Sequence, residues 1–265
     1  MGMEDRGAIR STRRQRSFRV EAIVLRHQDY GEADRLLVLL TQEKGKLHAI
    51  AKGVRKPASR KAGHLEPFTC VSLQLARGRD LMIVTQAETV EAYLPLREDL
   101  LLASYASYVV ELLDRFTYQE GEADQLYRLL KRTLARLCST ADAVKVVRYY
   151  EIRLLDLLGF RPQLFTCVHC KEEIQPQDQY FSDELGGVLC PQCKYVAPDV
   201  HPISMPALKF LRHFQRSNYK DAMRAKISPR TAREMELLMQ RYLTYHLERG
   251  LNTPAFIKRV KRTQA

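Results

Sequence analysis

Residues 35–53 read "RLLVLLTQEKGKLHAIAKG", and the spacing of their apolar side chains decides the fold. "RLLVLLT" (35–41) is almost continuously apolar. "KLHAIAKG" (46–53) alternates Leu47, Ala49 and Ala51 against His48, Ile50 and Lys52. A period of two is the mark of a strand, and a short apolar run bounded by turn residues reads as a strand as well. Lys44-Gly45 supplies the turn between them. The pattern continues on either side. "FRVEAIVL" (18–25) sets Phe18, Val20, Ala22 and Val24 on one face, "CVSLQLA" (70–76) alternates Val71, Leu73 and Leu75, and "LMIVTQAETVEAY" (81–93) is rich in strand formers. Tyr30-Gly31 and Arg77-Gly78-Arg79-Asp80 carry turn signals. Five strands with no intervening helix predict a small barrel over 18–94. The five-stranded OB barrel is the common solution, and it often binds oligonucleotides.

After Pro95 the period changes to that of a helix. Leu101, Tyr105, Tyr108, Leu112 and Phe116 recur at helical spacing, and segments 122–138 and 142–158 repeat it until Gly159 stops the run. Ser204 with Pro206, and Ser228 with Pro229, open two further helices, the second ending at Gly250. The chain is thus expected to be a multidomain α+β protein: a five-stranded OB-fold barrel (18–94), then an α-helical bundle domain (95–265) with an inserted four-cysteine zinc module at about 164–197. The basic segment 1–17 has few core formers and is expected to be a disordered arm. "KRVKR" (258–262) reads as a basic end after the last helix, either a phosphate-binding tail or a solubilising one.

Four of the six cysteines lie in "CVHC" (167–170) and "CPQC" (190–193). The first 17 residues have no apolar signal-peptide core, and no apolar run approaches the roughly 18 residues of a membrane span. A cytoplasmic chain with no membrane partner is expected, in a compartment that keeps thiols reduced. That argues against disulfides. Two redox CxxC sites would each need a strand–CxxC–helix setting that the sequence does not offer. The C-x2-C-x19-C-x2-C spacing instead fits one structural Zn2+ held by Cys167, Cys170, Cys190 and Cys193, a closed tetrahedral shell with no open position. His169 lies between two ligands, but cysteine is the better zinc ligand here. Cys70 and Cys138 stand alone in apolar patterns and read as small buried hydrophobes.

The 265 residues carry a net charge of +12, unevenly spread. Segment 167–200 is net −4 and segment 201–265 is net +10. An acidic zinc module is a poor phosphate grip, so the metal is expected to hold architecture or present a surface to a protein. Residues 44–61 carry Lys44, Lys46, Lys52, Arg55, Lys56, Arg60 and Lys61 and no acid. On a barrel they would form a basic strip beside a flexible basic flap, a surface that takes single-stranded nucleic acid by phosphate neutralisation and base stacking. Phe18, Tyr30, Phe68 and Tyr93 are the aromatics at hand, each more readily a core residue than a stacking platform.

These residues carry a family resemblance. "YGEADRLL" (30–37), Thr41 followed by Gly45-Lys46, and "AKG" (51–53) resemble the N-terminal barrel of the RecO family of bacterial recombination mediators. "LLGFRPQLFTCVHC" (157–170) is similar to the family's lead into its zinc module, and "RYLTYHLERGL" (241–251) to its closing helix. The likeness runs in order over about 18–260. It implies a non-enzymatic protein of DNA repair and recombination, at work in the cytoplasm and on the nucleoid when engaged. Such a protein binds single- and double-stranded DNA and anneals complementary strands. It implies RecR and the C-terminal tail of the single-stranded DNA-binding protein as partners, with RecF and RecA as functional associates. The acidic tail would want a basic-rimmed apolar pocket on the helical domain. The arm before Phe18 is longer than the family's usual start, and His48 stands where a cation would continue the strip.

Two rival readings remain, an enzyme and an RNA-binding factor. A ligase would need a K-x-D-G lysine, an ATPase a G-x4-G-K-[ST] loop and a metalloprotease H-E-x-x-H; the chain has none of these motifs. A zinc-stabilised OB-fold RNA-binding accessory factor of transcription or translation would use the same barrel chemistry, because stacking and phosphate contacts do not read the 2′-hydroxyl.

Overall fold

The computed structural model describes residues 17–117, 123–247 and 250–264. Five strands, β1 (Ser17–Tyr30), β2 (Asp34–Thr41), β3 (Gly45–Ala51), β4 (Cys70–Arg77) and β5 (Met82–Glu91), close into a barrel in the order β1-β2-β3-β5-β4. β1 pairs with both β2 and β4, antiparallel in each case. A short parallel pairing of Ala49 and Ile50 with Met82 and Ile83 closes the ring. This is the OB arrangement that the sequence predicts. The arm expected at 1–17 lies, but for Ser17, outside the described residues.

The two sequence patterns have two causes. Val20, Ala22 and Val24 of β1 point inward with Leu37, Leu39, Ala49, Leu73 and Val84 to fill the barrel. Ile23, Leu25, Val38 and Leu40 point outward, yet they are buried too, in the core of the helical part. β1 and β2 therefore lose alternation because both of their faces are covered.

The helical part begins with α1 (Pro95–Glu98), α2 (Leu100–Phe116), α3 (Asp124–Ser139) and α4 (Ala143–Leu157). The Asp99 side chain caps α2 through the Leu102 N–H, and Asp142 caps α4 through the Lys145 N–H. The metal module follows, with a three-stranded sheet of β6 (Gln179–Ser182), β7 (Gly187–Leu189) and β8 (Val200–Ile203), ordered β7-β6-β8. The chain then returns to helix in α5 (Met205–Arg216), α6 (Tyr219–Met223), α7 (Pro229–Leu247) and α8 (Thr253–Gln264). Ser204 and Ser228 cap α5 and α7, as their positions before proline suggest.

α8 corrects an expectation. "KRVKR" is not an end beyond the last helix but the second half of a helix packed on α2, with Ile257 and Val260 buried. Its start is fixed from far off in sequence. The Glu111 carboxylate of α2 accepts the Asn252 N–H (2.9 Å), the Thr253 N–H (2.9 Å) and the Thr253 hydroxyl (2.6 Å).

The joint between barrel and helices is polar at its rim. Glu21 of β1 accepts Tyr127 Oη at 2.7 Å and Lys131 Nζ at 2.5 Å, both from α3. Gln42 donates to Asp124 at 2.8 Å. Cys70 is fully buried beside Tyr127, 3.4 Å from its hydroxyl, and Cys138 is half-buried.

Candidate nucleic-acid interface and metal centre

The segment after β3 is expected to be a flexible flap, and the structure stitches it down. The Gly53 N–H donates to Asp34 Oδ1 (2.7 Å), the Arg55 N–H to the Ala33 carbonyl (2.9 Å) and the Ser59 N–H to the Lys56 carbonyl (2.9 Å). The basic loop is thereby held against the β1–β2 turn, where Tyr30 is 55% exposed.

The seven cations divide by partner. Lys44, Lys52, Lys56 and Arg60 are exposed, and among the described residues none of them forms an ion pair. Lys44 Nζ stands 4.9 Å from the centre of the Phe18 ring. The other three are engaged by the fold. Lys46 donates to the Asp114 carbonyl (2.6 Å) and carboxylate (2.9 Å). Arg55 bonds the Gly31 carbonyl and pairs with Asp29 at 3.3 Å. Lys61 Nζ donates to the carbonyls of Lys52 (3.1 Å) and Val84 (3.2 Å). Of the aromatics, Tyr93 is buried, Phe18 and Phe68 are half-buried, and Tyr30 offers a face to solvent.

One group of residues escaped the sequence reading. The β4–β5 hairpin brings exposed Arg77 and Arg79 over a cleft whose other wall is Lys46, Leu47 and His48. In the sequence this hairpin is only a turn signal, because barrel closure alone sets it beside β3. Its shape requires glycine: a Cβ on Gly78 would lie 2.3 Å from the Leu81 carbonyl oxygen. Burial, then the neighbouring Lys46 and Arg26, push the His48 imidazole below its ordinary range. It is therefore neutral at neutral pH, and the strip gains no charge there.

The metal centre is built by two knuckles on one frame. The sulfurs of Cys167, Cys170, Cys190 and Cys193 all lie within 4.8 Å of one another. Cys170 Sγ and Cys190 Sγ are 3.9 Å apart, close to the roughly 3.8 Å edge of a tetrahedron with Zn–S bonds of about 2.3 Å. His169 is outside this group. Burial raises the Cys167 thiol, but the N–H groups of Cys190, Cys170 and His169 outweigh it and bring the pKa down to about 6. Cys193 is pushed up to about 12 by burial and by the neighbouring thiols. Four clustered thiols that cannot all ionise alone are what a dication reconciles. The donor set fits a metal ion. The frame is tight: the Cys167 N–H bonds the Glu172 carbonyl, the Val168 N–H bonds the Val188 carbonyl, and a Cβ on Gly187 would lie 2.4 Å from the Gln163 carbonyl oxygen.

Beside the metal module lies a pocket of about 630 Å3 whose walls include Phe165 and Pro176 of the module and Met205, Leu208, Arg212 and Arg216 of α5. Arg216 stacks 3.6 Å above the Phe165 ring, and Arg212 is 5.2 Å from it. Neither arginine nor Lys209 beside them meets a carboxylate among the described residues. Burial and then the neighbouring Arg216 lower the Arg212 pKa against the opposing pull of Glu173, a carboxylate that also lines the pocket.

No helix among the described residues is long and apolar enough to cross a membrane. The model of the recombination protein O N-terminal domain matches residues 15–93, and that of the recombination protein O C-terminal domain matches residues 97–255. The chain is similar to the DNA repair protein RecO of Roseiflexus sp. (strain RS-1), 41% identical over 94% of this chain and 87% of that protein. It is also similar to those of Dehalococcoides mccartyi (37% identical, over 88% and 91%) and Pelotomaculum thermopropionicum (37%, over 91% and 94%). A closed five-stranded barrel, a helical part with a four-cysteine cluster able to hold a metal ion, and relatives matched along nearly their whole length lead to one conclusion: the chain belongs to the RecO family of DNA repair proteins.

Proposed function

We propose that this chain is a recombination mediator that works by binding rather than by catalysis. It holds single- and double-stranded DNA, anneals complementary strands and, with RecR, helps load RecA onto DNA coated by the single-stranded DNA-binding protein. RecF acts in the same process, and the reading sets that work in the bacterial cytoplasm. The observation that carries it is the basic loop on the barrel, where Lys52, Lys56 and Arg60 stand exposed, without ion-pair partners among the described residues, and adjoin the turn that bears Tyr30, while Lys44 stands exposed at the other end of β3. Phosphates meet these four cations and bases meet Tyr30, while Arg77 and Arg79 continue the path along the hairpin. Lys46, Arg55 and Lys61 shape the surface through their protein partners.

Zinc is the metal we assign to the four cysteines. When bound, it supplies a closed tetrahedral staple and no reaction. The pocket of Phe165, Arg212 and Arg216 suits the acidic, apolar-ended tail of the single-stranded DNA-binding protein, with the arginines on its carboxylates and the aromatic floor under its apolar side chains.

The test is a salt titration of single-stranded oligonucleotide binding by fluorescence anisotropy. At about 0.7 per phosphate contact, four contacts give a log–log slope near −3. Substitution of Lys44, Lys52, Lys56 and Arg60 by alanine should flatten the slope and weaken binding at least tenfold. A response independent of salt contradicts the reading.

A further inference from the structure

We propose that α8 is a second nucleic-acid site, which holds the phosphate backbone of the complementary strand or of the duplex product. Its sequence, "TPAFIKRVKRTQ", has four cations and no acid. Ile257 and Val260 turn inward, and Lys261 lies 5.6 Å from the Tyr105 ring of α2. Lys258, Arg259 and Arg262 are exposed at spacings of three and four residues, which align them along one side of the helix. Among the described residues none of the three forms an ion pair. Phe256 is 37% exposed at the Arg259 edge of this row, with the Arg259 guanidinium 5.9 Å from its ring. A cationic ridge with an aromatic at its edge suits a sugar–phosphate chain that presents charge and base together.

The ridge is fixed in place. Glu111 clasps the first turn of α8, and the Arg115 guanidinium holds that carboxylate from the other side at 3.0 Å. Less than one turn further along α2, Asp114 grips Lys46 of β3 and Arg26 of β1. One helix thus ties the barrel and the α8 ridge into a single frame, and a groove lined by Arg26, Phe68 and Thr253 runs between them. Two anionic strands brought to two cationic faces of one frame lose much of the repulsion that slows pairing. An acidic protein surface would want the same cations but would gain little from Phe256.

This inference rests on the nucleic-acid reading of the barrel, and the experiment separates the two. Full-length parent, a variant with Lys258, Arg259 and Arg262 changed to alanine, and the barrel variant with Lys44, Lys52, Lys56 and Arg60 changed to alanine are compared. The readouts are single-strand binding, duplex binding and the rate of oligonucleotide annealing, with circular dichroism as the fold check. The α8 variant should keep single-strand affinity within about threefold of the parent. Its duplex affinity should fall at least tenfold, its duplex salt slope should be lower by about 3 at roughly 0.9 per contact, and its annealing should slow by a similar factor. Unchanged duplex binding and annealing in a folded α8 variant overturns the proposal while leaving the barrel reading intact. Loss of neither activity in either variant overturns both. Displacement of duplex from the parent by polyglutamate at equal charge concentration overturns the assignment of a nucleic acid and favours an acidic protein.

Discussion

The Lys46 ammonium lies 2.6 Å from the Asp114 carbonyl oxygen and 2.9 Å from its carboxylate, with its side chain only 11% exposed. A cation that reads as part of a DNA strip is therefore a clamp between barrel and helices. Replacing Lys46 by methionine should leave the salt slope of single-strand binding unchanged. It should lower the melting temperature, because Asp114 is left with Arg26 alone. Breaking a fully buried pair costs about 3–5 kcal/mol. This pair reaches solvent, so about 2 kcal/mol is expected, or about 4–8 °C for a chain of this size. A drop in salt slope in place of a drop in melting temperature would return Lys46 to the phosphate path.

The same joint sets an acid limit. Burial works to raise the Asp114 pKa, but the bonds from Lys46 and Arg26 outweigh it and hold the carboxyl below its usual range. Glu21, held chiefly by Lys131, and Glu111, held by the first turn of α8, are lowered as well. A depressed folded pKa gives stability that is present above the unfolded value and is lost as pH falls through the folded one. Denaturant midpoints should be flat from pH 7 to 5 with respect to these groups and fall below about pH 4. Asp114→Asn should be less stable at pH 7 and show a smaller acid loss than the parent. An identical acid limb in the variant would remove Asp114 from this account.

Arg148 and Glu151 form an ion pair at 2.7 Å in the interior of the helical part, 6% and 0% exposed, with the Tyr108 hydroxyl donating to Glu151 at 2.5 Å. Burial raises Glu151 to about 7 against the pull of Arg148. Such a pair resists half-removal more than full removal. Arg148→Met alone should cost about 3–5 kcal/mol, and Arg148→Met with Glu151→Leu should recover most of it. Additive losses in urea melts would mean that the two side chains are not coupled.

Metal removal should act locally first. One zinc per chain is expected by elemental analysis. Chelation or Cys190→Ser should abolish it and expose the amides of Cys167, Val168 and Ile174 to hydrogen exchange, while the barrel amides of β1 and β4 stay protected. Arg216→Ala should weaken binding of an acidic tail peptide about tenfold without loss of zinc. Peptide affinity that is indifferent to both Arg212 and Arg216 would empty the pocket of its proposed role.

The barrel was legible because five short runs alternate and carry turn residues at their joints. The barrel was expected to close, but the Ala49–Met82 pairing that closes it leaves no local signal. That the four cysteines gather at one place was legible from spacing alone. α8 was missed because four charged residues in five positions hide the Ile257–Val260 pair, and its cap, Glu111, comes from 142 residues away. The division of the basic strip was also hidden. Lys46 and Lys52 look alike in sequence, and only the approach of α2 distinguishes the clamp from the exposed cation.

Exposed barrel cations are proposed to hold one strand while the frame offers its complement. Fluorescence annealing of complementary oligonucleotides, bare and coated with single-stranded DNA-binding protein, tests it most directly. The parent should accelerate pairing on both substrates, and the folded variant with Lys44, Lys52, Lys56 and Arg60 changed to alanine should lose most of that acceleration. Acceleration equal to the parent's in that variant, or none by the parent itself, would contradict the claim.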